Sequence, residues 1–251
     1  ADDDFRPLLE ALAAADVAPI LQGIETLDVD FIGSSAGQAL DLEDSNGVVN
    51  IIVGRITNNT SATIDNINDV VESISVSNSG EADDFVNFSF NRDVLDGSAD
   101  TLALTVNDVQ VDTFSVDAED GEGYETINMT VSGATNLDDF EIDSTVTLNI
   151  TATADLTVGD FGLSAGHLAT IDAATSTADL DINLGAANVV EARVSGSSGT
   201  DVDFTYTGSA GDDYIRVDED SLSAAPTGGD DDNGHDTIAG GTGANTLDFS
   251  V

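Results

Sequence analysis

The chain has no cysteine, no tryptophan and no lysine, and only three prolines and one methionine in 251 residues. Without cysteine, neither a disulfide framework nor thiolate chemistry contributes, although a secreted protein can be stabilised by metal instead. Five basic residues (Arg6, Arg55, Arg92, Arg193 and Arg216) are scattered among 49 acidic ones, so the formal charge is −44. Nucleic acid is thereby excluded as a direct partner, because phosphate binding needs clustered Lys and Arg to displace counterions. An anionic membrane surface is excluded for the same reason, and no apolar run approaches the ~18 residues of a transmembrane segment. The metalloprotease, nucleophile-elbow, Cys/His and phosphate-loop patterns are all missing. Carboxylates are abundant, but an acid/base dyad needs one raised pKa in a pocket, and the sequence singles out no such pair. The expectation is therefore non-enzymatic.

What the chain does have is aspartate: 38 Asp against 11 Glu. Solvation would be served by either acid, whereas Asp also fits tight turns. Leu, Ile, Val and Phe together make up 27% of the residues, above the ~20% level that accompanies disorder. Their β-branched bias favours strands. The chain can build a core, and its composition suits a thin, elongated, all-β architecture.

Only Phe5 to Leu21 reads as helix, with Leu8, Leu9, Leu12 and Ala15 at helical spacing, Pro7 in the first turn and Pro19 at the end. From Ile24 onward the period becomes two, as in Leu27, Val29 and Phe31 and again in Ile127, Met129 and Val131. A five-residue element recurs at the start of such strands: Gly23-Ile24-Glu25-Thr26-Leu27 returns as Gly123-Tyr124-Glu125-Thr126-Ile127, with weaker copies at Val71-Glu72-Ser73-Ile74 and Val190-Glu191-Ala192. Between Leu137 and Tyr206, short strands alternate with small-residue turns, as in Val146, Leu148, Ile150, then Leu156, Val158, then Leu180, Ile182, Leu184. This suits a parallel β-solenoid, a β-helix or β-roll. A β-sandwich is the alternative for the N-terminal half, where Gly80 to Phe90 and Gly97 to Val106 read as hairpin strands. The expected organisation is a helical segment over 1–22, a β-rich domain over 23–122 and a solenoid over 123–251. The chain starts at Ala1 without methionine and reads as a processed chain or an excerpt.

The sharpest motif is C-terminal. Gly240-Gly241-Thr242-Gly243-Ala244-Asn245-Thr246-Leu247-Asp248 fits the nonapeptide G-G-x-G-x-D-x-U-x except for Asn at the sixth place. Asp231-Asp232-Asn233-Gly234-His235-Asp236 keeps its second half. Gly208-Ser209-Ala210-Gly211-Asp212-Asp213 and Gly196-Ser197-Ser198-Gly199-Thr200-Asp201 are further partial copies. Here the chain resembles the RTX-type calcium-binding β-roll family. The resemblance implies Ca²⁺ held by Asp201, Gly208, Gly211, Asp213, Asp218, Asp220, Asp231, Asp232, Gly234, Asp236, Gly240, Gly243 and Asn245. Stacked turns of this kind supply the six to eight oxygens that calcium prefers. The expected register stacks turn 208–213 on turn 231–236, with Asp213 and Asp236 flanking one ion and Asp218 and Asp220 facing Asn245. His235 then sits at a variable, solvent-facing place in a turn, and His167 lies in a small-residue turn.

The strand-start element, the lysine-free Asp/Thr/Ala/Gly/Ser-rich strands and Leu168-Ala169-Thr170-Ile171-Asp172-Ala173 also resemble the bodies of bacterial S-layer and related type I secreted surface proteins. That implies an extracellular, calcium-dependent structural protein that self-assembles into a layer or filament, with a cell-surface polysaccharide as a candidate anchor. The alternative is a calcium-binding adhesin module of a larger secreted protein.

Overall fold

The computed structural model describes residues 4–5, 8–11, 16–33, 38–57, 61–79, 84–119, 121–142, 144–162, 168–184, 204–217 and 237–249. Every regular element among them is a strand. The first are β1 (Asp4–Phe5), β2 (Leu8–Ala11), β3 (Asp16–Val17), β4 (Thr26–Gly33), β5 (Gln38–Asp41), β6 (Asn50–Ile56) and β7 (Ala62–Ile67). The middle of the chain forms β8 (Ser73–Ser77), β9 (Phe85–Phe90), β10 (Thr101–Asn107), β11 (Gln110–Ala118), β12 (Thr126–Val131), β13 (Thr135–Glu141) and β14 (Thr147–Ala152). The last are β15 (Leu156–Val158), β16 (Thr170–Asp172), β17 (Leu180–Asn183), β18 (Thr205–Thr207), β19 (Tyr214–Val217), β20 (Thr237–Ala239) and β21 (Thr246–Phe249).

From β3 onward, successive strands alternate between two sheets. One sheet has 11 strands in the order β1-β4-β6-β8-β10-β12-β14-β16-β18-β20, with β2 also on β4; the other has 10, from β3 to β21. All named pairings are parallel, for example β10 with β12 and β11 with β13. A parallel pair needs a crossover, and here the strand of the opposite sheet supplies it, giving a parallel β-solenoid. Ten strands stacked at ordinary sheet spacing make it about 43 Å tall.

The period-two pattern explains the core. Alternate residues of both sheets point inward, and the parallel register stacks like on like. One column runs Val29, Val53, Val76, Val106, Val131 and Ala152. Another runs Leu102, Ile127, Leu148, Ile171 and Tyr206. All of these residues are buried. Phe88, Phe114 and Phe140 of the second sheet, with Phe161 just beyond β15, form a chain of aromatic contacts with ring centroids 5.8 to 6.1 Å apart. Outside, polar ladders replace them: Asn149 Nδ2 donates to Asn128 Oδ1 at 2.8 Å, and the Thr151 and Thr175 hydroxyls meet at 2.9 Å.

At the corners, buried hydroxyls tie coil to coil. Ser176 Oγ donates to the Ile150 carbonyl and accepts from Ala152 N, and Thr145 Oγ1 donates to the Tyr124 carbonyl. Asp108, with φ 58°, makes the two-residue corner from β10 to β11, a conformation that Asp tolerates better than most residues. The recurring Glu element marks another corner: Glu25, Glu72 and Glu125 each directly precede a strand of the first sheet. The Glu25 carbonyl accepts from both Val49 N and Asn50 N, and the Glu125 carbonyl from both Val146 N and Thr147 N. Glu191 lies outside the described residues.

Two expectations are corrected. None of the described residues of the supposed N-terminal helix is helical: Phe5, Leu8–Ala11 and Asp16–Val17 lie in strands, with Leu8 paired to Asp30 and Leu9 to Phe31, and residues 18–21 are irregular. A short run of Leu and Ala is ambiguous by periodicity, and the edge of β4 offers its backbone a ready ladder. The sandwich alternative also gives way. Strands β9 and β10 do not form a hairpin; they belong to different sheets, and each pairs in parallel with the strands before and after it in its own sheet. Both sheets run across residue 122 without interruption.

Candidate metal-binding turns

One edge of the solenoid carries the turns that lead from the first sheet into the second. Its last three are 173–179 between β16 and β17, 208–213 between β18 and β19, and 240–245 between β20 and β21. Six motif residues are brought together here: Gly208, Gly211 and Asp213 in one turn, Gly240, Gly243 and Asn245 in the next. The stacking partner differs from the expected one. Because Tyr206 pairs with Ile238 and Ile215 with Leu247, turn 208–213 lies on turn 240–245 rather than on 231–236. The partial motif at 231–236 lies outside the described residues. Asp201, Asp218, Asp220, Asp231, Asp232, Gly234 and Asp236 lie outside the described residues, as do His167 and His235.

Asp213 is 1% exposed. Its Oδ2 accepts from Ser209 N at 2.7 Å, and its Oδ1 accepts from Leu180 N at 3.2 Å in the preceding coil. The Ser209 hydroxyl lies 2.6 Å from the same Oδ1, with the Ala178 carbonyl 2.9 Å away as an alternative acceptor. Asn245 Oδ1 accepts from Asp213 N at 2.9 Å. Alongside runs a second series: Asp179 Oδ1 accepts from Asp212 N, and Asp212 Oδ1 from Ala244 N, each at 2.7 Å. Sequence reasoning missed Ser209, Asp179 and Asp212. The Asp212-Asp213 doublet was the available signal, since adjacent residues entering a strand point to opposite sides.

The glycines permit close approach of successive turns. A Cβ on Gly208 would stand 2.7 Å from the Gly240 carbonyl oxygen, and one on Gly241 (φ 82°) or Gly243 would overlap the carbonyl oxygen of Ser209 or Gly211. Among the described residues, no group of three or more His, Cys, Asp or Glu side chains is arranged to hold a metal ion.

A separate acidic region lies on the outer face of the second sheet. A shallow depression of about 210 Å³ is lined by Phe85, Asn87, Thr113, Ser115, Asp117 and Glu141, together with Val86. Nearby, desolvation first and then the charges of Glu141 and Asp160 push the Asp139 carboxyl above its ordinary range. Further along the same sheet, Arg216 bonds Asp181 and lies over the Tyr214 ring, whose hydroxyl bonds Asp248.

No family model, curated protein or solved structure matches the chain.

Proposed function

We propose that the chain is a structural protein of a bacterial cell surface, a rigid solenoid whose copies associate into a layer or filament in the presence of external calcium. The observation that best supports assembly is the last coil. Among the described residues, nothing pairs with the outer edges of β20 and β21, and Leu247 and Phe249 are 42% and 54% exposed. A parallel sheet edge with apolar side chains is a template for further strands. The same observation favours the second reading, an adhesin-type module of a larger secreted protein, in which further coils of the same chain would cover that edge.

Charge supports the calcium dependence. A formal −44 on one chain opposes both compaction and association, and divalent cations relieve such repulsion best where carboxylates converge. The acids at Asp201, Asp218, Asp220, Asp231, Asp232 and Asp236 are the sequence's candidates for this role. In a compartment poor in free calcium the chain would remain expanded and fit for export; outside the cell it would fold and assemble. A polysaccharide of the envelope is the proposed anchor, and the reading is non-enzymatic.

The test is to add Ca²⁺ to chelated protein while following circular dichroism and particle size, with Mg²⁺ and NaCl as controls. Growth of β-signal and of particle size with calcium alone is expected. A folded monomer in chelator that calcium leaves unchanged overturns the proposal, and equal rescue by molar NaCl points instead to salt adaptation. Mass and shape of the native full-length protein separate the layer reading from the module reading.

A further inference from the structure

We infer that the turns at 208–213 and 240–245 are closed by reciprocal hydrogen bonds between coils and hold no calcium ion between them, so that the acid or amide at the sixth motif place acts as a hydrogen-bond acceptor. This goes beyond the calcium-dependent assembly proposed above and does not rest on it.

The donor set is the first reason. Calcium is bound by oxygens whose lone pairs face the ion. Both carboxylate oxygens of Asp213 instead face positive dipole ends: Ser209 N and Leu180 N, with the Ser209 hydroxyl beside them. A carboxylate that accepts several such bonds is compensated without a metal. The Asn245 oxygen is likewise taken by Asp213 N. The Ser209 carbonyl accepts from Thr242 N and the Ser176 carbonyl from Ala210 N.

Space is the second. An ion bridging two turns holds oxygens on either side at roughly 2.3 to 2.6 Å each, which keeps the backbones apart. Here Gly241 and Gly243 bring the Cα atoms of one turn against the carbonyls of the other, so tightly that a methyl group would not fit.

The third reason is the repetition of one pattern at two successive interfaces. Between turns 173–179 and 208–213, Asp179 reaches forward to Asp212 N while Asp213 reaches back to Leu180 N. Between turns 208–213 and 240–245, Asp212 reaches forward to Ala244 N while Asn245 reaches back to Asp213 N. One forward and one backward bond staple each interface. This also accounts for the departure of Asn245 from the motif: an amide oxygen accepts one N–H as well as a carboxylate does, whereas as a calcium ligand it forfeits the charge. Asp213, which serves donors at both oxygens, has no such freedom.

The test compares calcium titrations of the full wild-type chain, Asn245→Asp and Asp213→Asn by calorimetry, with Ca²⁺ itself as the probe. The inference expects the same number of calcium ions and affinities within about twofold in wild type and Asn245→Asp, because the added charge meets an N–H and no ion. A new site, or affinity tightened about tenfold or more in Asn245→Asp, overturns it. So does loss of a site in a folded Asp213→Asn; if that variant does not fold, Asn245→Asp decides alone. Failure of the assembly proposal reads differently, as wild-type protein that neither binds calcium nor grows in particle size, and leaves the comparison between variants intact.

Discussion

At the scale of single residues, two buried phenols show how the interior treats polar groups. Tyr124 donates to the Val71 carbonyl at 2.8 Å and packs edge-on against Phe90, while the Tyr206 hydroxyl has no hydrogen-bond partner among the described residues. Burial pushes the pKa of both phenols well up, and the Asp213 charge adds to the effect at Tyr206. The two should therefore respond in opposite ways to loss of the hydroxyl. Tyr124→Phe is expected to lower stability by about 1 kcal/mol, whereas Tyr206→Phe is expected to be neutral or stabilising, since it removes a buried unpaired group. Thermal melts of the two variants check this, and equal losses would disprove it.

At the scale of elements, stability is distributed along the stack rather than concentrated in a centre. Each coil touches mainly the coils on either side, so the cost of a truncation depends on its place in the column. Phe140, fully buried between Phe114 and Phe161, is expected to cost about 3–5 kcal/mol as Phe140→Ala. Phe249, on the last strand and more than half exposed, is expected to cost about 0.5 kcal/mol. Urea denaturation distinguishes the two, and comparable losses would contradict the graded picture.

The strands were legible where two faces of a sheet differ. Leu27, Val29 and Phe31, or Ile127, Met129 and Val131, announce a buried side by alternation alone, and all six are buried. The turn glycines were legible as well, and three of the Glu elements fall at equivalent corners. The pairing of turns was not. Stacked residues lie 21 positions apart at Ile127 and Leu148 but 35 apart at Ile171 and Tyr206. With no fixed repeat length, the sequence does not say which turn lies on which, and turn 208–213 takes 240–245 as its partner. The N-terminal segment misled for a different reason: its Leu and Ala spacing satisfies a helix, and only the edge of β4 decides otherwise. The hydrogen-bonded role of Asp213 was hidden because a carboxylate after a glycine turn has the same sequence signature whether it faces a cation or an N–H.

At the scale of the whole molecule, a charge of −44 makes pH a stability variable. Asp139 shows the sign locally. Its carboxyl is raised by desolvation and by its acidic neighbours, so the fold binds that proton more tightly than the unfolded chain does. The resulting penalty on the fold is present above the folded pKa and is relieved as pH falls through it. Asp139→Asn is therefore expected to melt slightly higher than wild type at neutral pH, with the difference vanishing in acid. Melting curves across that range check the sign; a variant less stable than wild type at neutral pH would reverse it.

The parallel stacking has a mechanical consequence. The ladder bonds of both sheets point along the axis of the stack, so tension applied at one end loads only the bonds of the outermost coil and peels the molecule open one layer at a time. A load applied sideways, along the strands, is instead resisted by many ladder bonds acting together. A solenoid held by its flank bears force as a block, and one held by its tip unravels.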